Sequence, residues 1–150
     1  MKIYLAGFGV FRPDAVKYGE ELKAICQSYG HEGLYPLDNQ CDSAKEIYEG
    51  NIELIKKADA VIADVNPFRG MEPDSGTAFE IGYATALGKT VICYLSDGRD
   101  LKEKITDDFY SVEDFSLPVN LMIGIGARVI EGDFKDALKS LDKIRQNIID

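Results

Sequence analysis

The stretch Ala58-Asp59-Ala60-Val61-Ile62-Ala63-Asp64-Val65-Asn66-Pro67-Phe68-Arg69-Gly70-Met71-Glu72-Pro73-Asp74-Ser75-Gly76-Thr77-Ala78-Phe79-Glu80-Ile81-Gly82 decides the fold. It opens as a near-continuous apolar run, Ala58 to Val65, the pattern of a strand buried on both faces inside a parallel sheet. It closes inside a helix that begins near Ser75 and runs to Leu87, where Gly88 stops it. The turn between them gathers Pro, Gly and acids, and from the end of the strand onward the stretch carries four carboxylates: Asp64, Glu72, Asp74 and Glu80. Open α/β sheets bind ligands at the carboxyl ends of their strands. A strand, a sharp turn with acids and a helix entry therefore read as a site.

Working outward towards the N-terminus, Lys2 to Ala6 is a short buried strand closed by Gly7-Phe8-Gly9. Pro13 and Asp14 open a helix with Val16, Leu22, Ile25, Cys26 and Tyr29 at helical spacing, ended by Gly30. Gly33 to Leu37 reads as a second strand cut short by Pro36. A polar loop, Asp38 to Ser43, leads into a helix from about Ser43 to Lys57 with Ile47, Tyr48, Ile52 and Ile55 inward. Towards the C-terminus, Thr90 to Leu95 is another buried strand, and Ser96 to Ser116 is polar, acidic and irregular. Leu117 to Ile123 is an apolar stretch before Gly124, and Ala127 to Ile130 a short final strand. Phe134, Ala137, Leu138, Leu141, Ile144 and Ile148 mark a closing amphipathic helix. Strands alternating with helices predict a doubly wound α/β fold, a parallel sheet with helices on both faces, over residues 1–150 as one domain.

Composition narrows the partners. The chain has 150 residues, 26 acids against 17 bases and a net charge of -9. Such a surface repels phosphate backbones, which argues against nucleic acid and for a small, neutral ligand. Cys26, Cys41 and Cys93 form no CxxC pair and no zinc spacing; Cys26 and Cys93 sit in apolar patterns as reduced core residues. There is no secretory pattern at Met1-Lys2-Ile3 and no apolar run of membrane-spanning length, so the expectation is a cytoplasmic protein without membrane contact.

The motifs exclude more than they assign. Gly7-Phe8-Gly9 lacks the third glycine of a dinucleotide loop, with Arg12 in its place, and reads as a tight turn that lets backbone approach something. There is no phosphate-cradling lysine loop. His31, the single histidine, lies far from the acidic stretch and reads as a surface or loop residue. Ser75 is explained as a helix cap.

Asp74 is also a good cap, but Glu80 falls on the second turn, beyond the reach of the helix dipole, among Ala78, Phe79, Ile81 and Gly82. A glutamate there is paired, exposed on a polar face, or poised for chemistry. Two carboxylates at one site suit reaction at an anomeric carbon, one attacking C1 and the other protonating the leaving group. Tyr4, central in the first strand, is either a core tyrosine or the donor that orients Glu80.

With these residues assembled, the sequence resembles the nucleoside 2-deoxyribosyltransferases. The likeness is carried by Lys2-Ile3-Tyr4-Leu5-Ala6-Gly7 with Phe11-Arg12-Pro13-Asp14, by Asn51 to Asp64, by Pro67-Phe68-Arg69-Gly70 with Glu72 to Gly82, and by Asn120-Leu121-Met122. The resemblance implies a flavodoxin-like, five-stranded parallel sheet. It implies cleavage of the N-glycosidic bond of a 2'-deoxynucleoside and transfer of the deoxyribosyl group to a free nucleobase, without metal or cofactor. Glu80 matches the nucleophile, Tyr4 the tyrosine that orients it and Asp74 the acid that serves the base. Asn120 matches an asparagine that reaches the sugar end of a neighbouring subunit's pocket, with Met122 beside it, which implies a homo-oligomer with a shared site. Phe11 is expected to stack on the base and Gly7 to admit ligand to the first strand. Asn51 stands where some relatives place an aspartate on the sugar. It keeps the hydrogen bond without the charge. Asp64, also on the substrate side, is expected to support Asp74 or the loop. Rival readings are a 2'-deoxynucleoside 5'-phosphate N-hydrolase, a non-catalytic nucleoside-binding module and a plain interaction domain.

Overall fold

The computed structural model describes residues 1–39 and 41–146. Five parallel strands form one sheet: β1 (Lys2–Ala6), β2 (Glu32–Leu34), β3 (Ala60–Asp64), β4 (Thr90–Leu95) and β5 (Arg128–Glu131), in the order β2-β1-β3-β4-β5. This is the flavodoxin-like order, with its switch point between β1 and β3, where successive connections leave to opposite faces. Register pairs Tyr4 with Val61 and Ala6 with Ala63.

Strand alternation divides the core. Tyr4, Ala6, Val61, Ala63, Val91 and Cys93 face α2 (Ala44–Lys57), α3 (Ser75–Ala86) and α5 (Leu121–Gly126). Ile3, Leu5, Ala60, Ile62, Ile92 and Tyr94 face α1 (Ala15–Ser28) and α6 (Phe134–Arg145). Burial of the larger aliphatic ones, Ile3, Leu5, Val61, Ile62, Val91 and Ile92, each worth roughly 1.5–3 kcal/mol when complete, supplies the main cohesion of the sheet.

Several local expectations change. The second strand ends at Leu34, because Pro36 starts a 3-10 turn, Pro36–Asp38, instead of extending the ladder. A short helix, α4 (Leu101–Lys104), interrupts the segment expected to be irregular, and Asp100 and Glu103 close a capping box on it. The apolar run after Leu117 becomes α5, capped by Asn120. Ile47 and Tyr48 are half exposed, not inward: the first six residues of α2 project past the sheet, and only Ile55 is fully buried. Val16 likewise faces solvent. His31 is buried rather than superficial, its Nε2 2.9 Å from Asp142 Oδ1 on α6. Ile148 lies outside the described residues. Among the described residues no helix is long and apolar enough to cross a membrane.

Candidate active site

The carboxyl ends of β1 and β3 present two loops to the same side of the molecule. After β1 the chain turns at Gly7, φ 150°, into a 3-10 turn, Phe8–Phe11. A Cβ on Gly7 would stand 2.9 Å from the Cβ of Asp64, so both the backbone angle and the close approach demand glycine. After β3, residues 66–73 fold back over that turn. The Phe68 ring stacks on Phe8 at 5.0 Å and on Phe11 at 5.3 Å, and the Arg69 guanidinium lies over Phe11 and Phe68. The loop then delivers Asp74 to the start of α3.

Asp74 is the N-cap of α3. Its Oδ2 accepts from the Thr77 amide at 2.9 Å and from the Thr77 hydroxyl at 3.0 Å. Both cap bonds fall on one oxygen, so Oδ1 is not committed to the helix. A turn and a half further on, Glu80 extends towards β1, where the buried Tyr4 hydroxyl donates to its Oε1 at 2.7 Å. Glu80 is partly covered as a residue, with its carboxylate turned inward onto Tyr4. Burial pushes its pKa up to about 7; the Tyr4 hydrogen bond opposes this and the nearby Asp74 charge adds to it. The Tyr4 hydroxyl is itself held well above its ordinary value, by burial first and by the neighbouring Glu80 charge second. Tyr4 therefore remains a proton donor in this pair at any ordinary pH.

These groups wall a cleft of about 340 Å³. Gly7, Phe11, Asn51, Asp74, Thr77 and Glu80 line it, as do Leu37 and Ile47. No Lys, Arg or His lines it among the described residues. Sequence reasoning missed two further polar groups, Asn39 and Cys41, which border the cleft from the loop after the 3-10 turn. The only signal for them was that loop's polarity. Asn51 Oδ1 and Asn39 Nδ2 are buried without a hydrogen-bond partner. An acceptor and a donor left open at a cleft are what a polar ligand satisfies.

The structure thus brings together Tyr4, Gly7, Phe11, Asn51, Asp74 and Glu80. It does not bring in the other expected residues. Asp64 ends β3 and lies three residues beyond Val61, the partner of Tyr4, so it points to the opposite face. There it accepts from the Asn66 amide at 3.0 Å and from Asn66 Nδ2 at 2.7 Å. Asn120 and Met122 border a separate depression with Glu72, Pro73, Ala78 and Gly82. The Asn120 amide is occupied within the chain: Nδ2 donates to Glu113 and Oδ1 accepts from the Met122 amide. Among the described residues no cluster of His, Cys, Asp or Glu is arranged to hold a metal ion.

The switch point of this flavodoxin-like sheet thus holds a carboxylate pair, one member of which accepts a hydrogen bond from a buried tyrosine. Residues 3–122 match the model of the nucleoside 2-deoxyribosyltransferase family, and the chain belongs to that family. The fold of a 2-desoxiribosyltransferase from Leishmania mexicana superposes with a TM-score of 0.85 at 42% identity, covering 93% of this chain and 95% of that one. A Schizosaccharomyces pombe protein, uncharacterized protein C191.05c, is 37% identical over 113 residues, 69% of this chain and 54% of its own length. The 5-hydroxymethyl-dUMP N-hydrolase of Rattus norvegicus is 29% identical over 92 residues, 59% of this chain and 52% of its own. The chain spans about half the length of the curated relatives it matches.

Proposed function

We propose that the protein is a 2'-deoxyribosyltransferase that exchanges nucleobases through a covalent deoxyribosyl-Glu80 ester. The observation that carries this is the Tyr4–Glu80 hydrogen bond at the floor of a cleft whose rim holds Asp74. The Glu80 carboxylate attacks C1' of a 2'-deoxynucleoside as the C1'–N bond breaks. Asp74 gives the departing base nitrogen its proton. Tyr4 holds one Glu80 oxygen and leaves the other to attack. An incoming base then attacks C1', releases Glu80 as carboxylate and returns a proton to Asp74. Phe11 offers its ring to the base, and Asn51 Oδ1 accepts from a sugar hydroxyl.

The rat relative supports a second reading, hydrolysis of a deoxynucleoside 5'-phosphate. Against it stands a cleft edged by two carboxylates and by no Lys, Arg or His among the described residues, which disfavours a dianionic phosphate. The reading extends to a homo-oligomer in which Asn120 of one copy reaches the sugar of the next. Its support is that α3 is apolar on its outer side too, with Phe79 half exposed, and that Met122 of α5 is 76% exposed beside it. Docking would require the Asn120 amide to exchange its bond to Glu113.

Incubation with 2'-deoxyadenosine and cytosine tests the proposal. The expected result is 2'-deoxycytidine together with adenine. Free base without exchanged nucleoside would transfer the assignment to a hydrolase, and saturable binding without turnover would reduce the protein to a binding module.

A further inference from the structure

On the sheet face opposite Glu80, a second carboxylate is buried with no role in the reaction above. Asp64 is 9% exposed and lies in a small crevice with Gly7, Tyr18 and Tyr94. Its partners are neutral donors: the Asn66 amide and Asn66 Nδ2, with the Tyr94 hydroxyl beside it. Asn66 carries the connection onward, because its Oδ1 accepts from both the amide and the hydroxyl of Ser96, each at 2.9 Å. The three residues thus tie the end of β3 to the end of β4 at the root of the loop that follows. That loop carries Phe68 onto Phe8 and Phe11, and it ends at Asp74. Burying a carboxylate among neutral donors costs stability, so its presence calls for a return elsewhere.

We propose that Asp64, Asn66 and Ser96 form a latch that sets the 66–73 loop, with Asp64 and Asn66 as positioning residues acting through Phe68 and Asp74 on the departing base. This rests on the transferase reading for its catalytic consequence, but the latch itself is a property of the loop. The loop touches the cleft at two places: Phe68 stacks on the outside of Phe11, which stays anchored in its own 3-10 turn, and the loop itself carries the acid at the start of α3. Asp74 stands where the loop joins α3, so a loosened latch shifts it through its backbone despite the Thr77 bonds, while Glu80, a turn and a half inside α3, and Tyr4 on β1 stay in place. The loss therefore falls on proton delivery and not on nucleophilic attack.

Two measurements on Asn66→Ala test this. The first is trypsin cleavage at Arg69–Gly70, followed by fragment mass at a temperature where the fold is intact. Cleavage is expected to quicken about tenfold or more while Tm moves little, because proteolysis reads local opening. The second compares 2'-deoxyadenosine, whose base needs a proton to leave, with 7-methyl-2'-deoxyguanosine, whose cationic base leaves as a neutral molecule without one. The kcat/KM for the first is expected to fall about 30-fold and for the second less than about threefold. Equal falls on both substrates, or no acceleration at Arg69, would overturn the proposal. Should Asn66→Ala not fold, Ser96→Ala removes one of the two bonds on Asn66 Oδ1 and is expected to show the same pattern at smaller size. Absence of base release from either substrate by the wild-type protein would sink the transferase reading, and the trypsin result would still decide the latch.

Discussion

Glu80 and Asp64 are two carboxylates at the same edge of the sheet, one on each face. Asp64 sits among donors that tie it to its own loop. Glu80 has, among the described residues, one donor, Tyr4, and turns towards a cleft of about 340 Å³. Burial pushes Glu80 up to about 7 because one hydrogen bond does not offset the lost hydration. The comparison teaches what separates an acid satisfied within its own loop from one left open at a cleft. Both are covered, and the difference lies in how much of the carboxylate's hydrogen-bonding capacity the protein leaves unused.

The comparison breaks first at Glu80. Glu80→Ala is expected to lower transfer by about 1,000-fold or more while circular dichroism stays native, since the proposed covalent step takes Glu80 as its nucleophile. Retained activity in that variant would remove the assignment. The same position tests the energetic side through Glu80→Gln. A folded pKa near 7, above the ordinary 4.5, means that the folded state holds more protons than the unfolded one between those values. Stability therefore falls as pH rises through that window, and Glu80→Gln is expected to restore about 1–3 kcal/mol at pH 8 and almost nothing at pH 4. Denaturant midpoints at the two pH values check the sign.

Asp74→Asn is the next largest change. The amide caps α3 through its oxygen but delivers no proton, so transfer from deoxyadenosine is expected to slow by about 100-fold with little loss of stability. Single-turnover release of adenine measures it. Tyr4→Phe follows, at about tenfold below neutral pH. Loss of the Tyr4 bond removes the influence that lowers Glu80, so the acidic limb of the rate profile is expected to move to higher pH. A limb that stays put would mean that Tyr4 serves only the core.

Gly7→Ala gives the smallest effect and sharpens the boundary between the faces. The added Cβ meets Asp64 at 2.9 Å at a φ of 150°, for an expected cost of about 1–3 kcal/mol in stability. Thermal unfolding reads it directly.

Much of this was legible in the chain. The alternation of apolar runs with helical spacing predicted the parallel α/β sheet, and the acids after β3 marked the site. Burial of β1 is written in Lys2-Ile3-Tyr4-Leu5-Ala6, and the cap role of Asp74 in its place before α3. Other features escaped because they depend on where elements end in space. Ile47 and Tyr48 fit the inward stripe of α2, but the helix overhangs the sheet there and turns them towards the cleft and solvent. His31 looked peripheral because its partner, Asp142, is 111 positions away. Asp64 looked like a member of the acidic cluster because it is near Asp74 in sequence. The period of two in β3 sends it to the other face.

The chain by itself determined the order of the five strands and of the four long helices, the doubly wound class and the gathering of acids after β3. Local periodicity and turn chemistry carry those, and both act over a few residues. Only the tertiary structure decided which acids share the cleft. The register of β3 against β1 sets Tyr4 opposite Glu80 and puts Asp64 behind Gly7. It also decided that Asn120 is bound within the chain to Glu113, outside the Glu80 cleft. Those outcomes rest on pairings between segments far apart in sequence, settled by packing and burial together, which no local pattern encodes.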